Sequence, residues 1–481
     1  MKKSILTMGI IALLGAAWTG SAFYTGKVGE TEFQRQIEKS NEQLAKQGIN
    51  SELKAKLDNF KIERGVFSSN YVYDVVFKYK DREFIFPAEG VIYHGPLPLN
   101  QLSQFNFKPV MFSATGQIAQ NEKSQYLFDA AKGKNPIISE MTMSYSKRLT
   151  GVMNIAAMDL KQPNLDLSWA DSVIQVETDK DGIGKSDISI PKLYTLIKGE
   201  LLDEFIRSDG LEGIGIELQH LNVNSDFKQT DLVNILVGDV TGSVGGLKYT
   251  YHPVDKLQTL PSIAFNGINF AYKVEKEQNF INYAVKNDVS NILFNEKELG
   301  KFVFNATLNH LSANTLNTLF VTNYENESEL KRLGLELLQN QPHLQLSELS
   351  LTNAGGKMSV ESNIELDKVD LSNAMSGKLL SMFKQLSFNT VLDEAAMVQM
   401  SSTMLQFKEG LTKEEADIEA KEDIKYSVQG WLEQGIFVKN GESLNLTLNL
   451  EKDGLNFNGN HIPESELGML LMMLMMSGAF Q

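Results

Sequence analysis

Several stretches of this chain come close to a spacing that chemistry uses, and each lacks a part. Gly184-Lys185-Ser186 has the ending of a phosphate-binding loop, whose amides and lysine hold phosphate oxygens, but the glycine needed five residues before Gly184 is Asp179. Glu177, Asp179 and Asp181, before Gly182, alternate as the first ligands of a calcium loop do. Counted from Glu177, the twelfth position is Ile188, where a bidentate glutamate has to close the coordination sphere. In Gly242-Ser243-Val244-Gly245 the first glycine of a hydrolase nucleophile elbow is replaced by Thr241, so the segment reads as flexible strand ends. The six histidines, His94, His220, His252, His310, His343 and His461, include no His-x-x-x-His pair and no histidine–glutamate cluster at ligand spacing. With no cysteine in the chain, disulfides, thiolate catalysis, cysteine-held zinc and iron–sulfur clusters are excluded. No catalytic residue, metal ligand or cofactor is assigned from the sequence.

The elements that would position any site are mostly strands. Tyr71, Tyr73, Val75, Phe77 and Tyr79 share one face and alternate with residues such as Asp74 and Lys78, the period of two of a half-buried strand. The same alternation returns from Phe302 to Leu308 and from Leu444 to Leu450. Turn signals at Asp181-Gly182, Asn266-Gly267, Gly355-Gly356, Asn440-Gly441 and Asp453-Gly454 predict successive antiparallel hairpins. Helical spacing interrupts them near residues 316–341, ending before Pro342, and at about 393–434, in two pieces split at Gly410-Leu411. Thr412 and Glu415 supply a capping box for the second piece.

At the N-terminus, Lys2 and Lys3 precede 23 uncharged residues, Ser4 to Gly26. As a helix these span roughly 34 Å, enough for a hydrocarbon core of about 30 Å. Gly20-Ser21-Ala22 would also suit a signal peptidase, but Trp18, Phe23 and Tyr24 form an aromatic exit belt, so the segment is expected to stay as a signal-anchor. The positive-inside rule then leaves residues 1–27 as a short cytoplasmic tail and membrane span and puts residues 28–481 in the periplasm. A charged helix from Val28 to about Gln47 reads as a stalk. No Pro- or Ser-rich linker follows, so 28–481 is treated as one body. The expected fold class is α+β: an N-terminal transmembrane helix, then an elongated, mainly antiparallel β-sheet body with helical insertions. An apolar helix near residues 464–476 closes the chain and is too short to cross a bilayer.

Forty-five basic side chains against 60 acidic ones give a net charge of −15. Nucleic acid is excluded as a partner, since a polyanion is bound by clustered Lys and Arg. Attachment to anionic lipid by a basic patch is disfavoured too, so any membrane contact must be hydrophobic.

Several short blocks resemble the YdgA family of bacterial inner-membrane proteins, whose body is a domain of unknown function. They are Trp18-Thr19-Gly20 with Tyr24-Thr25-Gly26-Lys27, Arg64-Gly65-Val66-Phe67-Ser68-Ser69, His94-Gly95-Pro96-Leu97-Pro98-Leu99, and Leu127-Phe128-Asp129-Ala130-Ala131-Lys132-Gly133. The resemblance implies an inner-membrane anchor, a periplasmic body and a homodimer, and no established enzymatic activity. Arg64, Gly65, Phe67, Ser68, His94, Gly95 and Pro96 are read as structural, because glycine and proline punctuate turns. The function expected is that of a non-enzymatic envelope scaffold, or a carrier whose apolar sheet face takes lipid or an envelope partner. The alternative is an envelope hydrolase whose site is assembled from distant residues around His94.

Overall fold

The computed structural model describes Asn41, Leu44, Ala45 and residues 53–467, except 66, 80–81, 95–96, 180–181, 206–209, 256–259, 370–377 and 379. The expected membrane span, and the expected apolar helix beyond Leu467, lie outside the described residues. Among the described residues no helix is long and apolar enough to cross a membrane. Where the sequence marked no boundary, the chain divides into two compact units, residues 1–229 with 320–326, and residues 230–319 with 327–481.

In the first unit the alternating segments form β1 (Leu53–Arg64), β2 (Ser68–Tyr79), β3 (Arg82–His94), β4 (Phe112–Ile118), β5 (Ile137–Met143) and β6 (Leu149–Ile155). Each pairs antiparallel with the next. A hairpin of β7 (Met158–Gln162) and β8 (Leu165–Trp169) leaves the sequence order, and β9 (Ser172–Thr178) returns to β6. The long β10 (Gly184–Lys198) pairs with β9 through its first half and β8 through its second, and β11 (Leu211–Gln229) covers its other edge. Period-two alternation sends Tyr71, Ile92, Phe112, Met141, Leu149, Ile174 and Ile188 to one side as a buried cluster. Phe60 and Ile62 of β1 and Leu221 and Val223 of β11 pack on the same cluster, so the sheet wraps around a filled core. Tyr71 lies over Gly90 and Gly116 and donates its hydroxyl hydrogen to the Thr115 carbonyl at 3.1 Å. A Cβ at Gly90 would run into the Thr115 oxygen and the tyrosine ring. Three short helices that the sequence did not signal, α1 (Leu99–Ser103), α2 (Gln125–Ala130) and α3 (Gly199–Phe205), sit in the connections.

The second unit is a meander of longer strands: β12 (Leu236–Pro253), β13 (Ile263–Glu277), β14 (Phe280–Phe294), β15 (Lys297–Ser312), β16 (His343–Asn353), β17 (Gly356–Leu366) and β18 (Phe383–Asp393). Each pairs with its successor. After the short β19 (Val438–Asn440), β20 (Ser443–Glu451) pairs with β18, and β21 (Gly454–Phe457) and β22 (Asn460–Pro463) complete the order. Helices occupy the two expected intervals: α4 (Ala313–Leu319) and α5 (Glu327–Gln339), then α6 (Glu394–Lys408) and α7 (Lys413–Glu433). At the start of α7 the capping box forms, with Glu415 N–H donating to Thr412 Oγ1 at 3.3 Å and Thr412 N–H to the Glu415 carboxylate at 2.9 Å.

One expected turn is corrected. Asn266-Gly267 lies inside β13, with Gly267 at φ 62° and the Ser290 hydroxyl of β14 donating to its carbonyl at 3.1 Å. The apolar residues change from odd to even positions across this pair, from Ile263 and Phe265 to Ile268, Phe270 and Val274. Glycine therefore absorbs a local irregularity in a strand that pairs on both sides of it.

Candidate functional site

In the second unit the registers align apolar residues straight across the sheet. One row runs Val244, Ile268, Val289, Phe302, Leu351, Met358, Leu392 and Leu444, from β12 to β20. A parallel row on the same face runs Val240, Tyr272, Val285, Ala306, Leu346, Ser362, Phe388 and Leu448. The opposite face is polar: its row reads Asn269, Asp288, Val303, Ser350, Ser359, Val391 and Asn445, with Asn269 Nδ2 donating to Asp288 at 3.0 Å.

Among the described residues, helices cover the apolar face at its two ends. At one, Leu316, Leu319 and Leu337 of α4 and α5 pack on Val274, Ile281, Tyr283, Leu308 and Leu311. At the other, Met397 of α6 and Ile424, Val428, Trp431 and Leu432 of α7 pack on Met358, Leu392 and Leu444. Under these covers Ile281 and Leu444 are 0% exposed; between them Tyr272 stays 40% and Phe388 37% exposed, and Leu344 41%. With strands about 4.8 Å apart and residues about 3.3 Å apart, the aligned rows span roughly 34 Å by 13 Å. That is of the order of 450 Å² before the helices are subtracted, the size of a large exposed apolar patch. Asn287 lies on this face, and its side-chain oxygen is buried without a hydrogen-bond partner. Such acceptors in apolar surroundings are costly unless a donor reaches them. The arrangement can hold an elongated apolar molecule that carries a few hydrogen-bond donors.

The structure brings the two strand-turn blocks singled out in the sequence together. Gly65 N–H donates to Ser68 O at 2.8 Å, closing the β1–β2 turn, where a Cβ would meet the same oxygen. His94 N–H donates to Phe67 O at 2.9 Å, and His94 Nε2 lies 2.9 Å from Ser69 Oγ. Ser69 is only 4% exposed, so this pair joins the start of β2 to the end of β3 and presents no hydroxyl to a substrate carbonyl. Gly95 and Pro96 lie outside the described residues. Gly184, Lys185 and Ser186 are strand residues of β10, and Ser243 is inside β12. Among the described residues no group of three or more His, Asp or Glu could hold a metal ion. The apolar rows themselves were half visible in the sequence: alternation showed each strand, but only register shows that successive strands align.

A wrapped β unit and a second β unit with an apolar face define a class of mainly antiparallel β proteins. The chain belongs to the family described as Bacterial protein of unknown function (DUF945), whose model matches residues 1–465. It is 33% identical to Protein YdgA of Escherichia coli strain K12 over 188 residues, 38% of this chain and 37% of that protein. It is also 26% identical over 322 residues to an uncharacterized protein of Haemophilus influenzae, covering 66% of this chain and 85% of that one. Uncharacterized protein YihF of Escherichia coli is 26% identical over 154 residues, 31% of this chain and 32% of the relative. No solved structure matches the chain.

Proposed function

We propose that this chain is an envelope protein, held in the bacterial inner membrane by residues 1–27 with its body in the periplasm, that carries acyl chains on the open face of the second unit. The observation that carries this reading is the set of apolar rows left exposed between two helix pairs. A scaffold sheet would be filled, as the first unit's is. An acyl chain matches the face because it is apolar, elongated and content with a few polar contacts. The Ser4–Gly26 run and the lysines before it support the anchor.

The test is the lipid that co-purifies with the full-length chain in mild detergent, measured by mass spectrometry. Phe388→Asp puts a charge on the open face and is expected to cut bound acyl lipid at least tenfold, about 1.4 kcal/mol. Lys286→Asp, on the exposed polar face, should leave it unchanged. Equal lipid in both variants, or none in the unaltered chain, would refute the carrier reading.

A further inference from the structure

The two apolar rows of the second unit enclose a third. Between the row of Ile268, Val289 and Phe302 and the row of Tyr272, Val285 and Ala306 run Phe270, Asn287, Phe304, Leu349 and Val360, each paired with the next from β13 to β17. Asn287 is the polar member of this stretch. Its side-chain oxygen is buried and accepts no hydrogen bond, although the residue as a whole is only half-buried. Its close neighbours on the face are apolar: Phe270 and Phe304 stand opposite it, and Val285 and Val289 lie two residues away along β14. Tyr272, placed diagonally, carries a hydroxyl. Its ring lies against Phe270, with centroids 5.8 Å apart, and it does not bond the asparagine oxygen.

An asparagine in such a place costs stability that a leucine would not, since its acceptor is desolvated with nothing in return. The donor that completes it has to arrive with a ligand on the face. The χ2 torsion of asparagine turns through a broad, two-fold well, so an oxygen directed inward is readily turned out towards a donor lying on the sheet. Three chemistries bring a donor to an apolar surface. A lipid headgroup is ill placed, because the apolar rows about 6.6 Å away on either side would leave its remaining polar atoms among valine and phenylalanine. A secondary amide is ill shaped. Planar and trans, it points its N–H and C=O in opposite directions, and its carbonyl would face the same apolar neighbours. A hydroxyl within an acyl chain brings the donor and little else.

We propose that the face selects acyl chains that carry a hydroxyl part-way along, and that Asn287 is the residue that reads it. This rests on the acyl-carrier reading above and names the class of its cargo. A plain chain on the same rows leaves the amide oxygen unpaired, whereas a hydroxylated one satisfies it. A site that offers a partner to a hydroxyl discriminates against the molecule lacking it, and a wholly apolar face separates the two weakly.

The test loads the full-length chain, in mild detergent, with a fluorescent fatty acid and displaces it with stearate or with a stearate hydroxylated at mid-chain. The hydroxylated acid is expected to displace the probe at a concentration at least about tenfold lower. Asn287→Leu, close in size and wholly apolar, should remove that preference and leave displacement by stearate as strong as before or stronger. Comparing the ratio of the two acids between the chain and the variant cancels their different partitioning into detergent. Equal displacement by both acids from the unaltered chain overturns the selection and leaves the carrier reading standing, whether or not the variant folds. A preference that survives Asn287→Leu overturns the assignment to Asn287. An unaltered chain that takes up neither the probe nor either acid overturns the carrier reading, and the selection with it.

Discussion

Gly90 and Gly116 lie under the same tyrosine ring, yet alanine at the two positions should behave differently. At Gly90 the added methyl meets the Thr115 carbonyl oxygen, which is backbone, as well as Tyr71. At Gly116 it meets Ser139 Oγ at 2.7 Å and the Tyr71 hydroxyl at 2.8 Å, both ends of side chains that can swing away. Overpacking that moves backbone costs up to about 3 kcal/mol. Replacing a strand glycine by alanine returns about 0.5–1 kcal/mol through the lower entropy of the unfolded chain. Gly90→Ala should therefore destabilise the first unit by about 2 kcal/mol, and Gly116→Ala by less than about 1. Hydrogen exchange of the β2–β4 amides reads this directly, since about 2 kcal/mol is roughly a thirtyfold change in the opening equilibrium. Tyr71→Phe adds a control. It removes the bond to Thr115, at about 1 kcal/mol, and with it the atom 2.8 Å from the Gly116 methyl. In that background Gly116→Ala should become nearly neutral, while Gly90→Ala keeps most of its cost, because the Thr115 oxygen is still there. Equal exchange rates for the two alanine variants, or equal relief by Tyr71→Phe, would refute the packing described for this ring.

Leu444 is 0% exposed between the sheet and the α6–α7 pair, so Leu444→Ala should cost about 3 kcal/mol and speed exchange in β18, β20 and α6 together. Thr412→Ala breaks the capping box and should destabilise the first turn of α7 by about 1 kcal/mol, seen as faster exchange at Ala416 and its neighbours with β12–β15 unaffected. The hydrogen bond that His461 Nδ1–H donates to the Glu451 carboxylate raises the histidine's pKa, with Asp453 adding to it, so the folded form binds the proton more tightly than the unfolded one. The pair's stabilisation of β20–β22 should be present below the unfolded histidine value and fade as pH rises through the folded one. A histidine titration by nuclear magnetic resonance checks this, and Glu451→Gln should return His461 towards its ordinary value.

The strands were legible because their side chains alternate with a period of two, as Phe302–Leu308 in β15 and Leu444–Leu450 in β20 do. The helices of the second unit were legible because helical spacing, Gly410 and the Thr412–Glu415 box each act within a few residues. What depends on pairing was hidden. Asn266-Gly267 has the composition of a turn, and only the neighbours β12 and β14 show that the chain continues straight through it. The return of β9 to β6 across the β7–β8 hairpin leaves no local trace. The contact of Ser69 with His94 joins positions 25 apart in sequence, and the open face exists only once eight strands have come into register.

The two units also differ in the order in which they can be assembled. In the second, every strand from β13 to β18 lays itself on the edge left by the strand just before it, so each new hairpin finds its template already formed as the chain is fed out. Little sequence separates the partners in the β13–β14, β14–β15 and β16–β17 hairpins, and closing those steps costs little entropy. The first unit cannot grow this way. Strand β10 waits for both β8 and β9 to be in place, and the core is complete only when β11 covers the cluster on which β1, more than 150 positions earlier, also packs. The aligned apolar face therefore belongs to the part that zips up strand by strand, while the part nearest the N-terminus must hold its opening strands uncovered until its last one arrives.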